Sequence, residues 1–267
     1  MISNVTKNIA LFLSAFLVFA CTKKETPSAT SNSNAATASA DKEFQVGIDA
    51  AYAPFGWIDS SQKVVGFDAD VMAALAKEMN IKFKMVNTPW EGIFTQLNSG
   101  DRDILISAIT VTEERKQSMD FSDPYFEAKQ LIAVPTSSKV NSLNDLKKLK
   151  VGVQTGTTGN DLTEKALGKD NTNIKRFEST PLALKELENG GVDAVVADNG
   201  VVINYVKNNG QKFKTVSDDS VQKEFYGIAV KKGNLELQAK LNAALKAIRQ
   251  NGTYDQIYEN YFGKAQK

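Results

Sequence analysis

The chain contains no histidine and a single cysteine, Cys21. The first absence removes Ser-His-Asp and Cys-His triads and every His-ligated metal site. The second removes internal disulfides and thiolate clusters, because one thiol has no partner within the chain. Most hydrolytic and metal chemistry is thereby excluded, and neither a cofactor nor a metal is expected. Charge of one sign is missing too: 32 Lys+Arg face 31 Asp+Glu, a formal net charge of +1. No basic stripe interleaved with aromatics appears, so no nucleic-acid partner is expected.

Long apolar runs are absent but for one, "IALFLSAFLVFA" (Ile9–Ala20), preceded by Lys7. It is too short to span a bilayer comfortably and has the shape of a secretory h-region. It ends at Cys21 in "VFAC", which resembles a bacterial lipobox: aliphatic Val18, small Ala20, then cysteine. Phe19 is bulkier than that pattern prefers, and the plain alternative is an ordinary signal peptide with Cys21 incidental. Residues 1–20 are therefore expected to be a lipoprotein signal peptide, with Cys21 lipidated and the protein held extracytoplasmically on a membrane. The following "TKKETPSATSNSNAATASAD" has no large side chain to bury, so 21–41 is expected to be a tether. From Lys42 about 225 residues remain, enough for one large domain or two small ones.

From Phe44 onward, strand-like and helix-like runs alternate. "FQVGI" reads as a buried strand, and "GFDADVMAALAKEMN" as a helix with Val71, Leu75 and Met79 on one face and Asp68 as its cap. "IKFKMV" alternates like a half-buried strand. A helix around "GIFTQLNSG", the strands "DILIS", "VGVQ" and "AVVA", and a helix opened by Thr180-Pro181 follow. "LELQAKLNAALKAIRQNG" is a long helix stopped at Asn251-Gly252. The alternation predicts an α/β fold with mainly parallel sheet. "LNSGDRDILISA" and "LENGGVDAVVAD" also match in register, at Leu97/Leu187, Gly100/Gly190 and Asp103/Asp193. Any helix-to-strand turn favours Gly and Asp, yet the match points to two similar lobes. Ligands of such sheets bind beyond the carboxyl ends of the strands, where Ser107-Ala108 and Ala197-Asp198 fall.

Four stretches could hold a ligand there. In "ITVTEERKQSMDFSDPYF", Thr112 reads as an N-cap, which puts Arg115 in a first helical turn beside Glu113 and Glu114. A cation there opposes the helix dipole unless an anion sits nearby. Arg115 is either a solvated arginine paired with surface acids or a fork for a carboxylate. "GVQTGTTGND" leads a strand through a Gly/Thr turn into a helix, where backbone N–H groups of Thr157 and Thr158 suit a small anion. It matches neither a Walker loop nor a dinucleotide fingerprint. Asp198, at a strand tip, needs a cation once desolvated, and a ligand ammonium would serve. An arginine for a carboxylate and an aspartate for an ammonium describe a free α-amino acid. Asp49, Tyr52 and Trp90 form a slot for a flat polar or cationic side chain, although core packing explains the two aromatics equally well.

The motifs "GFDADVMAALAKEM", "ITVTEERKQSMDFSDPYF", "VGVQTGTTG", "VDAVVADN" and "IRQNGTYDQIYENYFG" occur in order between Phe44 and Gly263. They resemble bacterial solute-binding proteins of family 3, extracytoplasmic receptors that feed polar amino acids to ABC importers. The resemblance implies a two-lobed periplasmic-binding-protein-like fold of type II, monomeric, closing on its ligand about two crossing strands. "QLIAVP" and "YGIAVK" look like those crossings, with lobe one at 42–128 plus 225–267 and lobe two at 129–224. By motif match, Arg115 takes the ligand carboxylate with the N–H groups of Thr110 and Thr158. Asp198 takes the amino group with the Ala108 carbonyl and the Thr110 hydroxyl. Tyr52 and Trp90 sandwich the side chain, and Asp49 and Gln154 read its far end.

Ser107, "QTGTTG" and Asp49 together look closest to receptors for arginine, lysine and ornithine, while glutamine remains the alternative. A second acid buried beside Asp49 would be costly, which disfavours acidic ligands. The same fold also carries cyclohexadienyl dehydratases, which use cleft groups as acids. Here the acids already have binding roles, so no enzyme is expected.

Overall fold

The computed structural model describes residues 42–264. The expected signal peptide, the lipidated Cys21 and the tether lie outside the described residues. Among the described residues, no helix is long and apolar enough to cross a membrane.

The first lobe opens with β1 (Glu43–Ile48), the small antiparallel sheet of β2 (Ala51–Tyr52), β3 (Gly56–Ile58) and β4 (Val64–Val65), and α1 (Phe67–Met79). It continues with β5 (Lys82–Asn87), α2 (Ile93–Ser99), β6 (Ile104–Leu105), α3 (Glu113–Ser118) and β7 (Met119–Phe121). The chain then passes along β8 (Phe126–Pro135) into the second lobe. That lobe holds β9 (Val151–Gln154), α4 (Thr158–Leu167), β10 (Ile174–Phe177), α5 (Thr180–Asn189), β11 (Ala194–Asp198), α6 (Asn199–Asn208) and β12 (Phe213–Val216). The return runs through β13 (Lys223–Tyr226) to β14 (Ala229–Lys231), α7 (Leu235–Gln250) and α8 (Thr253–Phe262).

The two main sheets share one plan. The first is ordered β5-β1-β6-β14-β7 and the second β10-β9-β11-β8-β12. In each, the first three strands are parallel and the fourth runs antiparallel to both its neighbours. The parallel character expected from the alternation is thus confined to the strands joined by helices. β8 and β14 arrive from the other lobe instead, and nothing forces them into the same direction. The sequence doubling is a doubling of geometry as well. Gly100 (φ 92°) and Gly190 (φ 75°) each end a helix in the left-handed region, where a side chain would be strained. Each then leads into the strand that carries cleft residues at its tip.

Two expected caps fall elsewhere. The N-cap of α1 is Gly66 rather than Asp68; Asp68 is fully buried in the first turn, as the second residue of the helix. The N-cap of α5 is Ser179, with Thr180 and Pro181 inside the first turn. Both displaced side chains turn inward, where they have other partners.

The crossings also differ from expectation by part of a strand. Phe126–Lys129 of β8 pairs antiparallel with Lys223–Tyr226 of β13, ending just before "QLIAVP" and at the first residue of "YGIAVK". "QLIAVP" lies inside the second sheet, against β11 and β12, and the end of "YGIAVK" is β14 of the first. The crossing is packed by aromatics: Phe126 and Tyr226 stack at 5.3 Å, and Phe55 meets both rings at 5.1 and 5.3 Å. Phe262 of α8 closes the cluster from below, 5.1 Å from Phe126. Edge and offset contacts of this kind contribute beyond their buried area, about 1 kcal/mol each.

Candidate functional site

All the cleft residues singled out from the sequence line a single cavity. It lies between the tips of β1, β6, β9 and β11, where open α/β sheets bind ligands. Polar contacts join its two walls. Tyr52 Oη donates to Asp198 Oδ2 (2.7 Å), Trp90 Nε1 to the Gly156 carbonyl (3.3 Å) and Arg115 Nη2 to the same carbonyl (3.2 Å). The cleft is therefore closed.

One end of the cavity is built for an anion. Thr112 Oγ1 accepts the Arg115 N–H at 3.1 Å, so the expected cap forms and fixes Arg115 in the first turn of α3. Its guanidinium folds inward, with Nη1 donating to the Thr110 carbonyl at 2.8 Å. It also lies 5.2 Å from the rings of both Trp90 and Phe94. Burial pushes Arg115 below its ordinary pKa, and Asp161, Asp198, Glu224 and Glu114 pull in the other direction. Arginine stays charged even so. The opposite wall is the start of α4. Thr157 caps it, accepting Asn160 N–H at 3.2 Å while donating to the Gln154 carbonyl at 2.8 Å. Thr158 is the first residue of that helix, whose N–H has no intrahelical acceptor.

The other end is built for a cation. Asp198 is 6% exposed and begins α6, yet its carboxylate does not cap the helix. It accepts instead from Tyr52 Oη and from Gln130 Nε2, which faces it in register on the neighbouring strand. Burial raises the Asp198 pKa to about 6; the Tyr226, Tyr52 and Gln130 side chains oppose the rise, and the nearby Glu224 charge adds to it. Ala108 and Thr110 line the same region. Ala108 adopts φ 48°, costly for a residue with a Cβ, and its N–H donates to Asp68 Oδ2 at 2.7 Å. Tyr125 Oη donates to the other Asp68 oxygen at 2.8 Å. Burial raises Asp68 to about 7 against those two bonds. The side chain displaced from the cap position of α1 thus holds the twisted backbone of the cavity wall.

A second carboxylate, Asp49, closes the distal part. Its N–H donates to Ser107 Oγ at 2.9 Å, tying the tip of β1 to that of β6, and its Oδ1 accepts the Ala51 N–H at 3.0 Å. Burial raises its pKa, offset by the Ala51 and Trp90 N–H groups and the Gln154 amide. Gln154 is oriented from behind. Its Nε2 donates to the Glu178 carbonyl at 3.0 Å, and its Oε1 accepts from Thr180 Oγ1 at 2.8 Å. Because the Glu178 carbonyl can only accept, the amide oxygen must face Thr180. The threonine that does not cap α5 is what sets this orientation.

Gln130, Tyr226, Asp68, Thr180 and Glu224 were not singled out as site residues in the sequence. Each stands behind the cavity wall and reaches it through another residue: strand register places Gln130, Tyr226 and Glu224 there, and the first turns of α1 and α5 place Asp68 and Thr180.

Comparison with known proteins adds the following. The family model for bacterial extracellular solute-binding proteins, family 3, matches residues 44–264. A Neisseria gonorrhoeae protein named "Probable histidine-binding protein" is 50% identical over 234 residues, 86% of this chain and 87% of its own length. The L-arginine-binding protein of Pseudomonas aeruginosa is 34% identical over 233 residues, 85% of this chain and 90% of its own. The solved structure of the arginine-, lysine-, histidine-binding protein ArtJ from Geobacillus stearothermophilus superposes with a TM-score of 0.81 at 45% identity. It covers 85% of this chain and 97% of that one.

Proposed function

The chain belongs to the bacterial extracellular solute-binding proteins, family 3, and from that premise we propose that it captures a free basic L-amino acid and delivers it to an ABC-type importer. The observation that carries this reading is the charge layout of one closed cavity, with Arg115 at one end and the two buried carboxylates Asp198 and Asp49 beyond it. A basic amino acid brings one anion and two cations. Its α-carboxylate suits the Arg115 donors not engaged by Thr110 and Gly156, together with the Thr158 N–H. Its ammonium suits Asp198, its side-chain cation suits Asp49, and its stem lies between Tyr52 and Trp90. An acidic amino acid would set a second carboxylate against Asp49, a buried like-charge pair. Arginine, lysine and ornithine fit this layout, and the relatives add histidine. Ser107 and Gln154 serve the distal end by fixing Asp49.

The lobes are 42–128 plus 225–267 and 129–224, which move about the paired segments of β8 and β13. The protein works as a monomer, anchored extracytoplasmically through a lipid on Cys21. The acids of the cleft bind and do no chemistry, because each already has a cation to meet.

A thermal-shift screen of the purified protein against the twenty amino acids, ornithine and citrulline tests this. A ligand at a thousand times its Kd stabilises the fold by about 4 kcal/mol. Arginine, lysine, histidine or ornithine should give the largest shift. Glutamine in first place would overturn the basic-ligand reading, and silence from every amino acid after refolding would overturn the receptor reading.

A further inference from the structure

Glu224 lies on β13, in the crossing between the lobes, and is not part of the cavity wall. A single oxygen of its carboxylate, Oε2, accepts from both lobes. Thr110 Oγ1 of the first lobe donates at 2.8 Å and Thr158 Oγ1 of the second at 2.7 Å, while Gln130 Nε2 of β8, whose two protons serve its shorter contacts to Asp198 and Thr158, stands 3.3 Å away. Both threonines line the cavity.

Glu224 is not needed to hold Thr110 in place. The backbone does that: Thr110 bridges Tyr226, the Val111 N–H donates to the Phe225 carbonyl at 2.8 Å, and the Gly227 N–H to the Ile109 carbonyl at 3.0 Å. What the carboxylate controls is the hydroxyl proton. A hydroxyl has one proton to give. Once that proton is drawn to Glu224, Thr110 Oγ1 can offer the cavity only lone pairs. Thr158 Oγ1 already accepts from Gln130 Nε2 at 3.1 Å, which leaves it one lone pair, whereas among the described residues no side chain donates to Thr110 Oγ1, so that both of its lone pairs are open to a ligand.

An ammonium brings three donors in a cluster. Asp198 alone cannot meet all three, because one acceptor site on each of its oxygens already serves Tyr52 or Gln130. A further acceptor oxygen beside it completes the set.

Resting on the amino-acid-receptor reading, we propose that Glu224 is a positioning residue for the ligand's α-ammonium. By accepting the hydrogen bonds of the Thr110 and Thr158 hydroxyls, it makes Thr110 an obligate acceptor. As that carboxylate is also shared by hydroxyls of both lobes, the ammonium subsite is complete only when the cleft is closed.

The test compares the tightest-binding amino acid of the screen with its α-deamino analogue; for arginine this is 5-guanidinopentanoate. Titration calorimetry would measure both on the wild type, Glu224→Gln, Thr110→Val and the double variant. Glu224→Gln should cut the preference for the amino acid over the analogue by about tenfold or more, leaving affinity for the analogue within about threefold. In the Thr110→Val background the same substitution should cost less than about threefold, because its target is gone. Equal weakening of both ligands, or additive losses in the double variant, would mean that Glu224 merely supports the closed fold, and would overturn the proposal alone. A wild type that binds no amino acid, or does not distinguish one from its deamino analogue, would overturn the receptor reading as well.

Discussion

Tyr52 Oη donates to Asp198 Oδ2 at 2.7 Å, a bond that runs from the edge of the first lobe to the strand tip of the second. It spends one acceptor site of a buried carboxylate on closing the cleft, and it helps keep that carboxylate ionised. Tyr52→Phe retains the ring but loses the bond. Affinity should fall about tenfold or more, as for a hydrogen bond to a charged group, and the pH below which binding weakens should move upward. Calorimetric titration at several pH values checks both effects.

Arg115 and Asp198 form the two ends of the proposed clamp. Arg115→Ala and Asp198→Asn should each weaken binding by at least about a hundredfold, since each leaves a ligand charge buried and unpaired. Arg115→Lys should recover little of this, because an ammonium cannot reproduce the fork that grips a carboxylate. Circular dichroism should show the fold of all three intact. Binding within about tenfold of the wild type in either charge-removing variant would contradict the clamp.

Binding should depend on pH through Asp198, whose pKa stands at about 6. The ligand ammonium pairs with the ionised form, so binding below that pKa must first remove a proton. Affinity should be level above about pH 7 and fall about tenfold per pH unit well below 6. Asp198→Asn should lack this fall, although its affinity is low throughout. A wild-type profile flat from pH 5 to 8 would contradict the assignment.

Asp68 predicts a separate effect on stability. Its pKa is raised from 3.8 to about 7 by burial beneath α1, so the folded state favours the neutral acid. A group raised in this way contributes stability that is fully present below its unfolded pKa. The contribution is lost as pH rises through the folded value, and the total change is on the order of 4 kcal/mol at most. Asparagine can accept from the Ala108 N–H and donate to Tyr125 Oη without any charge. The wild-type Tm minus that of Asp68→Asn should therefore decrease from pH 5 to about 7 and level off above 8. A difference independent of pH would contradict a desolvated, titrating Asp68.

Asp49 is expected to govern selectivity more than affinity. Asp49→Asn removes the charge that meets a side-chain cation and leaves the clamp untouched. Arginine and lysine should lose at least about tenfold more affinity than glutamine does. Equal losses for charged and neutral ligands in calorimetry would remove its selective role.

Much of this was legible in the sequence, for identifiable reasons. The lobes could be read because apolar periodicity switches cleanly between strand and helix, and because Gly100 and Gly190 repeat the same helix stop. Asp49, Ser107, Ala108 and Asp198 could be read because strand tips are where such sheets meet ligands, whereas Thr110 and Gln154 followed only from the family resemblance. Thr112 as the cap of α3 follows from local chemistry alone. What stayed hidden depends on register between distant strands. Nothing near Gln130 announces that it faces Asp198, and Glu224 sits in a run of alternating residues with no ligand signature. Asp68 and Thr180 misled because a polar side chain in the first turn of a helix competes with the cap for the same role. Their tertiary partners decided between the two.

The most direct measurement is a crystal structure of the protein with the amino acid that binds tightest in the screen. The α-carboxylate should lie on the Arg115 guanidinium and the Thr158 N–H, the ammonium within hydrogen-bond distance of Asp198, and the side-chain cation against Asp49. A ligand bound with its ammonium away from Asp198, or outside the cavity between the lobes, would contradict the account.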